Sequence, residues 1–186
     1  MKDIKRGLKL TLIFMIILGV IYPLAMTGIS RVVFSEKSKG SLVYNKGEVI
    51  GSSLIGQKFT DDRWFQGRPS AVDYDASKSG GSNLAMSNPE FKKAVEKNIE
   101  EFLSKNPNVK REDIPADIIT ASASGLDPEI TVASAKLQAE RVAKANGKTV
   151  EEINKIIDMS KSGKFLGMFG QERVNVLKLN MMLLNK

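Results

Sequence analysis

Neither cysteine nor histidine occurs among the 186 residues, and there is a single tryptophan. The lack of Cys excludes disulfides, thiolate chemistry and a Cys-linked lipid anchor, so an exported domain of this kind relies on its hydrophobic core alone. The lack of His removes the commonest general base and the commonest metal ligand. Ser-His-Asp and Cys-His catalysis and nearly all zinc sites go with it. Only carboxylate or lysine chemistry is left. Concentrated positive charge is scarce too, despite a formal net charge of +7. Residues 1–31 carry Lys2, Lys5, Arg6, Lys9 and Arg31 against Asp3, which leaves 23 basic and 20 acidic groups on the other 155 residues. That mixed surface has no basic run and no interleaved aromatics, which excludes nucleic acid as a partner.

One long uncharged run stands out. From Leu10 to Ser30 (LTLIFMIILGVIYPLAMTGIS) 21 residues pass without a charge. A helix of that length spans about 31 Å, the hydrocarbon thickness of a bilayer. A cleaved signal peptide has an apolar core of about 7–15 residues and an A-x-A-like end, whereas this core is longer and ends Leu24-Ala25-Met26-Thr27-Gly28. The basic flank Lys2–Lys9 keeps the N-terminus inside by the positive-inside rule. The expected organisation is a cytoplasmic N-terminus over 1–9, a transmembrane helix in lipid over 10–31, and an extracytoplasmic soluble domain over 32–186.

Within that domain the expected fold class is α+β with one core. Leu42-Val43-Tyr44 and Val49-Ile50 flank Asn45-Lys46-Gly47-Glu48 as a hairpin. Thr60–Ser87 shows no period over most of its length, and loops of that size are usually functional. Asn88-Pro89-Glu90 opens a helix carrying Phe91, Val95, Ile99 and Phe102, stopped at Asn106-Pro107. Ile114–Ile119 reads as a helix turn or an edge strand. Thr131 caps a helix through Asn146, with Gly147 as terminator and a lean alanine face that implies close packing or a partner surface. Thr149-Val150-Glu151-Glu152 is a capping box for the helix of Ile153, Ile156 and Ile157. Alternation over Arg173–Leu184 predicts a C-terminal strand, central and bulged.

Few motifs promise chemistry. Gly147-Lys148-Thr149 imitates a phosphate-binding loop, but the first glycine that motif needs falls at Val142, inside a helical segment. Asp61-Asp62 and Asp73/Asp75 are better turn formers than cation ligands, which need more oxygens at fixed spacing. There is no Asp-Lys-Thr-Gly sequence, Asn-x-Ser/Thr sequon or EF-hand pattern. Two small-residue segments stand above this background, 64–84 and Ile119–Pro128. Each reads equally well as an ordered structural loop or as a contact surface. Trp64, Phe65, Arg68, Tyr74, Ser82, Asn83, Ser124 and Asp127 are the candidate partner-interface residues, with Trp64 as an anchor and Arg68 as a buried guanidinium.

These blocks, taken in order, resemble the C chain of the Kdp potassium-transporting ATPase. They are the N-terminal membrane helix, GSSLIGQ at Gly51–Gln57, RPSA at Arg68–Ala71, SGGSNL at Ser79–Leu84 and Asn88-Pro89. ITASASGLDP at Ile119–Pro128, Gln138, Arg141-Val142-Ala143 and RVNVL at Arg173–Leu177 continue the match. The chain departs from the family at Glu129-Ile130-Thr131-Val132, where His-Ile-Ser-Pro is common, and at Ala85-Met86. The resemblance implies a non-catalytic accessory subunit of a high-affinity, ATP-driven potassium importer. Its implied partners are a channel-like potassium-binding subunit, a P-type ATPase subunit that hydrolyses ATP, and a small membrane subunit. It also implies assembly or stabilisation of that complex and a catalytic-chaperone effect on the pump's ATP affinity, with Gln138 as the nearest match to the glutamine involved. No cofactor is expected to be firmly bound. With the domain outside, Gln138 does not reach cytoplasmic ATP, and coupling must pass through the membrane subunits. The expected docking site is the external face of the potassium-binding subunit. The alternative is a lone anchored ligand-binding or hydrolytic domain, with Asp61, Asp73, Asp127 and Arg68 as its candidate groups.

Overall fold

A computed structural model describes residues 2–184. It divides into two compact units, with the boundary between Leu42 and Val43. In the first, Lys2–Val33 form one helix, α1. Its five residues Ile17–Ile21 take a wider π-helical turn. Pro23 accounts for this, because it lacks an N–H and its ring crowds the carbonyl one turn back. The hydroxyls of Thr11 and Thr27 donate to the carbonyls of Gly7 (3.0 Å) and Pro23 (2.7 Å), so neither is left bare in an apolar surrounding. No side chain of α1 is buried within the chain, as suits a helix to be covered by lipid or other helices. A short helix, α2 (Ser35–Ser38), follows.

The second unit is a mixed α/β domain. Strands β1 (Leu42–Asn45) and β2 (Glu48–Ser52) form the expected hairpin. It turns through Lys46 (φ 48°) and Gly47 (φ 88°), the pair of left-handed residues that matches strand twist. Residues 53–88 contain no helix or strand. Helix α3 (Pro89–Lys105) is capped by Asn88, whose side-chain Oδ1 accepts from Glu90 N at 2.9 Å. Ile99 and Phe102 are its buried residues. The segment after Pro115 is a helix turn, α4 (Ala116–Ile119), rather than an edge strand.

Strand β3 (Glu129–Thr131) leads into α5 (Val132–Leu137), capped by Thr131, and α6 (Ala139–Asn146). The single helix expected over 131–146 thus breaks at Gln138, whose N–H bonds three residues back to Ala135 at 3.1 Å. Gly147 ends α6 with φ 63°, the left-handed terminator. Helix α7 (Val150–Ser160) has its capping box formed at both bonds. The hydrogen bond from Thr149 N holds the Glu152 carboxyl below its ordinary range.

The main correction lies at the C-terminus. The expected strand over Arg173–Leu184 ends after three residues, β5 (Arg173–Asn175), and α8 (Val176–Leu184) follows. The strand portion is central, as expected, in a sheet ordered β3-β5-β4 with β4 at Lys161–Ser162. Ile130 lies opposite Val174 in the β3–β5 register. Beyond it Val176, Leu177, Leu179, Asn180 and Leu183 are the buried positions, spaced as one face of a helix. Asn175 opens α8 by accepting Lys178 N at 3.1 Å, a capping signal hidden by the apparent alternation. Helices α5, α7 and α8 pack against this sheet, and α6 packs on α7, around a core that includes Ile153, Ile157, Val174 and Leu179. The lean Ala135, Ala139 and Ala143 face is buried here and serves close packing.

Candidate functional site

A segment with no strand partner enters the domain core at residues 62–66, through a turn in which Trp64 N bonds Asp61 O at 3.1 Å and after which Phe65 is buried. Buried carbonyls must be paired, and here side chains do the pairing. Arg141 of α6 donates to the carbonyls of Asp62 (2.5 Å) and Trp64 (3.0 Å). Asn146 donates to Arg63 O at 2.9 Å. Asn180 of α8 donates to Phe65 O (3.0 Å) and accepts Phe65 N (2.8 Å). Gln138 donates to Gln66 O (3.1 Å) and accepts Gln66 N (2.8 Å). Two carboxamides therefore stand in for the neighbouring strand that this segment lacks.

Gln138 is fully buried and has no capacity to spare. Its second donor bond goes to Ser134 O at 3.3 Å, and its oxygen also accepts from Arg141 Nη2 at 2.8 Å. Arg141 Nε reaches Asn106 Oδ1 at 3.2 Å. Burial pushes the Arg141 guanidinium down from its ordinary pKa, and Asp62 and Asp61 partly offset this.

Beyond the clamp, the two small-residue segments meet. Ser70 Oγ donates to Gly125 O at 2.6 Å and accepts from Val72 N and Tyr74 N. Gly80 N bonds Ser124 O at 2.9 Å, and Gly56 N bonds Leu126 O at 2.8 Å. Arg68 pairs with Asp127 at 3.1 Å and also reaches Thr120 O. Asp127 in turn accepts Glu129 N at 2.9 Å. The Tyr74 hydroxyl donates to Arg68 O, and burial first, then the Asp73 charge, raises its pKa. A Cβ on Gly56 would lie 2.5 Å from the Asp127 carbonyl. At Gly56 and at Gly125, where a Cβ would lie 2.7 Å from the Gly80 carbonyl, these contacts leave no room for a larger residue.

The candidate interface residues separate accordingly. Arg68, Tyr74, Ser124 and Asp127 come together in the loop junction. Ser82 and Asn83 lie exposed at its edge. Trp64 is half-buried, with the Arg63 guanidinium 4.8 Å over its ring and Phe59 beside it. Phe65 is not on the surface at all: it is completely buried in the core, because both of its neighbours' carbonyls are drawn toward helix side chains. The reading of the sequence missed Arg141, Asn146 and Asn180. Only Asn180 carried a signal, as a polar residue set among apolar ones in VLKLNMML.

Among the described residues no group of three or more acidic side chains is placed to hold a metal ion. An open cleft of about 570 Å³ flanks the clamp, and its lining includes Lys105, Arg141 and Lys144 together with Asp62 and Glu140.

Comparison with known proteins is decisive at the family level. The model of the KdpC family, "K+-transporting ATPase, c chain", matches residues 4–185. The chain belongs to the KdpC family. The Potassium-transporting ATPase KdpC subunit of Caldanaerobacter subterraneus subsp. tengcongensis is 58% identical over 185 residues, covering 100% of this chain and 96% of that protein. The Bacillus cereus protein of the same name is 48% identical over 177 residues, covering 95% and 92%. That of Clostridioides difficile is 44% identical over 198 residues, covering 97% and 95%. A KdpC chain is a component of a potassium-transporting ATPase, and the long apolar α1 fits its single-pass attachment to a membrane.

Proposed function

We propose that this KdpC chain is the non-catalytic accessory subunit of the Kdp P-type ATPase. Its folded domain lies outside the cell and docks on the external face of the potassium-binding subunit. There it stabilises the assembly of that subunit with the ATP-hydrolysing subunit and the small membrane subunit. The observation that carries this reading is the disposal of the candidate catalytic carboxylates. Asp61 pairs with Arg63 (3.3 Å), Asp73 with Lys58 (2.6 Å) and Asp127 with Arg68 (3.1 Å). A hydrolytic domain needs carboxylates converging on one substrate, and these are spent on separate cations.

Gln138 favours an indirect chaperone role. All its hydrogen-bonding capacity is used inside the clamp, so reaching a nucleotide would mean dismantling the fold. An effect on the pump's ATP affinity then travels as coupling free energy through subunit contacts. The basic Lys2–Lys9 flank supports the same view, because it keeps the domain on the side away from cytoplasmic ATP.

Copurification tests the assignment. Mild detergent extraction of the tagged full chain is expected to bring down the large transport subunits in fixed proportion. A lone protomer that hydrolyses a small substrate would overturn it in favour of the independent-domain reading.

A further inference from the structure

Between β4 and β5 the chain makes a short hairpin whose tip is almost wholly apolar. Phe165, Leu166, Met168 and Phe169 are between 60% and 74% exposed, although all four are large hydrophobic residues next to one another. The tip is nonetheless ordered by its own backbone. Phe165 N bonds Phe169 O at 2.8 Å, Phe169 N bonds Phe165 O at 2.9 Å, and Gly167 N bonds Lys164 O at 3.2 Å. Leu166 adopts a left-handed φ of 51°, which a bulky residue rarely takes and which Gly or Asn would adopt at less cost. The folded domain gains little from a Leu side chain turned outward at a strained turn. Such an outlier at an exposed apolar knob points to something outside the chain.

We propose that this tip inserts into the surface of the lipid bilayer that holds the chain's own helix α1. Two observations select lipid as the occupant. Only residues 34–42 separate the end of α1 from the domain, and at about 3.5 Å each they extend no further than roughly 30 Å. The domain is therefore tethered at high effective concentration beside a bilayer. Lys161 is paired with Glu172 at 3.1 Å at the base of the hairpin, while the tip over 163–170 carries Lys164 and no acidic residue, a charge that complements anionic headgroups as the apolar tip enters the acyl boundary. The contact rests on α1 crossing a membrane. It is independent of which face of the domain meets the other subunits.

The absence of native cysteine makes the test clean. The full chain with Leu166→Cys would be labelled with an environment-sensitive fluorophore. It would then be reconstituted in vesicles of equal parts phosphatidylglycerol and phosphatidylcholine, both alone and in the assembled complex. Lys93→Cys on the exposed side of α3 is the control, and Met168→Cys replaces Leu166→Cys should the latter fail to fold. The expected result is a blue-shifted label, quenched about twofold by lipids spin-labelled at a shallow acyl position, with the control label unmoved. Adding Lys164→Glu should weaken that quenching. A label that is water-like in both preparations overturns the proposal. So does a label that is blue-shifted only in the complex and not quenched by lipid, which would assign the tip to a partner subunit instead.

Discussion

Gln138→Leu is expected to cost the domain about 4 kcal/mol. The substitution preserves volume but leaves Gln66 N–H and C=O unpaired and removes an acceptor from Arg141. Each orphaned buried group costs roughly 1–3 kcal/mol. Against a typical total of about 5–15 kcal/mol, the loss corresponds to a fall in Tm of about 10 °C for a domain of this size. Thermal and urea unfolding of the full chain in detergent measure it. Hydrogen exchange localises it, with the Gln66 amide losing protection first. Asn180→Leu is expected to behave alike, because it frees both backbone groups of Phe65. The double variant should cost less than the sum of the two, since both side chains hold one segment and releasing it twice gains nothing.

The second large effect is at the loop junction. Gly125→Ala is expected to cost about 3 kcal/mol. The residue sits at φ 68°, and a Cβ there would lie 2.7 Å from both the Gly80 carbonyl and Val72 Cγ2. Left-handed strain accounts for about 1–2 kcal/mol, and overpacking against backbone for another 1–3 kcal/mol. Ser70 then loses its acceptor and Arg68 shifts from Asp127, so the surface displayed by Arg68, Ser124 and Asp127 is disordered. The measurable outcome is reduced recovery of the variant with its partner subunits, beyond what its lowered stability explains at the temperature used. Gly163→Ala, where nothing lies within 4 Å of a Cβ, should change neither quantity.

The contrast between what the sequence revealed and what it hid follows from the range of the interactions. The Asn88 cap, the Thr149–Glu152 capping box, the Gly147 terminator and the β1–β2 turn each involve residues within four positions of one another, so their chemistry is written locally. The C-terminal helix was misread because VNVLKLNMML satisfies a period of two and a period of 3.6 over its short length. Asn175 as cap would have resolved it. The clamp was invisible for another reason. Its bonds join residues up to 115 positions apart, and no local rule pairs Asn180 with Phe65. Its one local trace, Gln138 and Asn180 lying among apolar helix positions, does not name their partners. Small-residue segments 64–84 and 119–128 were identified separately, and the fold explains why they occur together: each supplies the close approach that the other requires.

Topology is the point on which the account turns. A cysteine introduced for Lys93, which is exposed on α3, should react with a membrane-impermeant thiol reagent in intact protoplasts. One introduced for Asp3 should react only after lysis. That result places the domain outside and confines its influence on ATP to the coupling between subunits. Protection of position 93 until lysis would put Gln138 and the clamp on the nucleotide side and contradict the proposed mode of action.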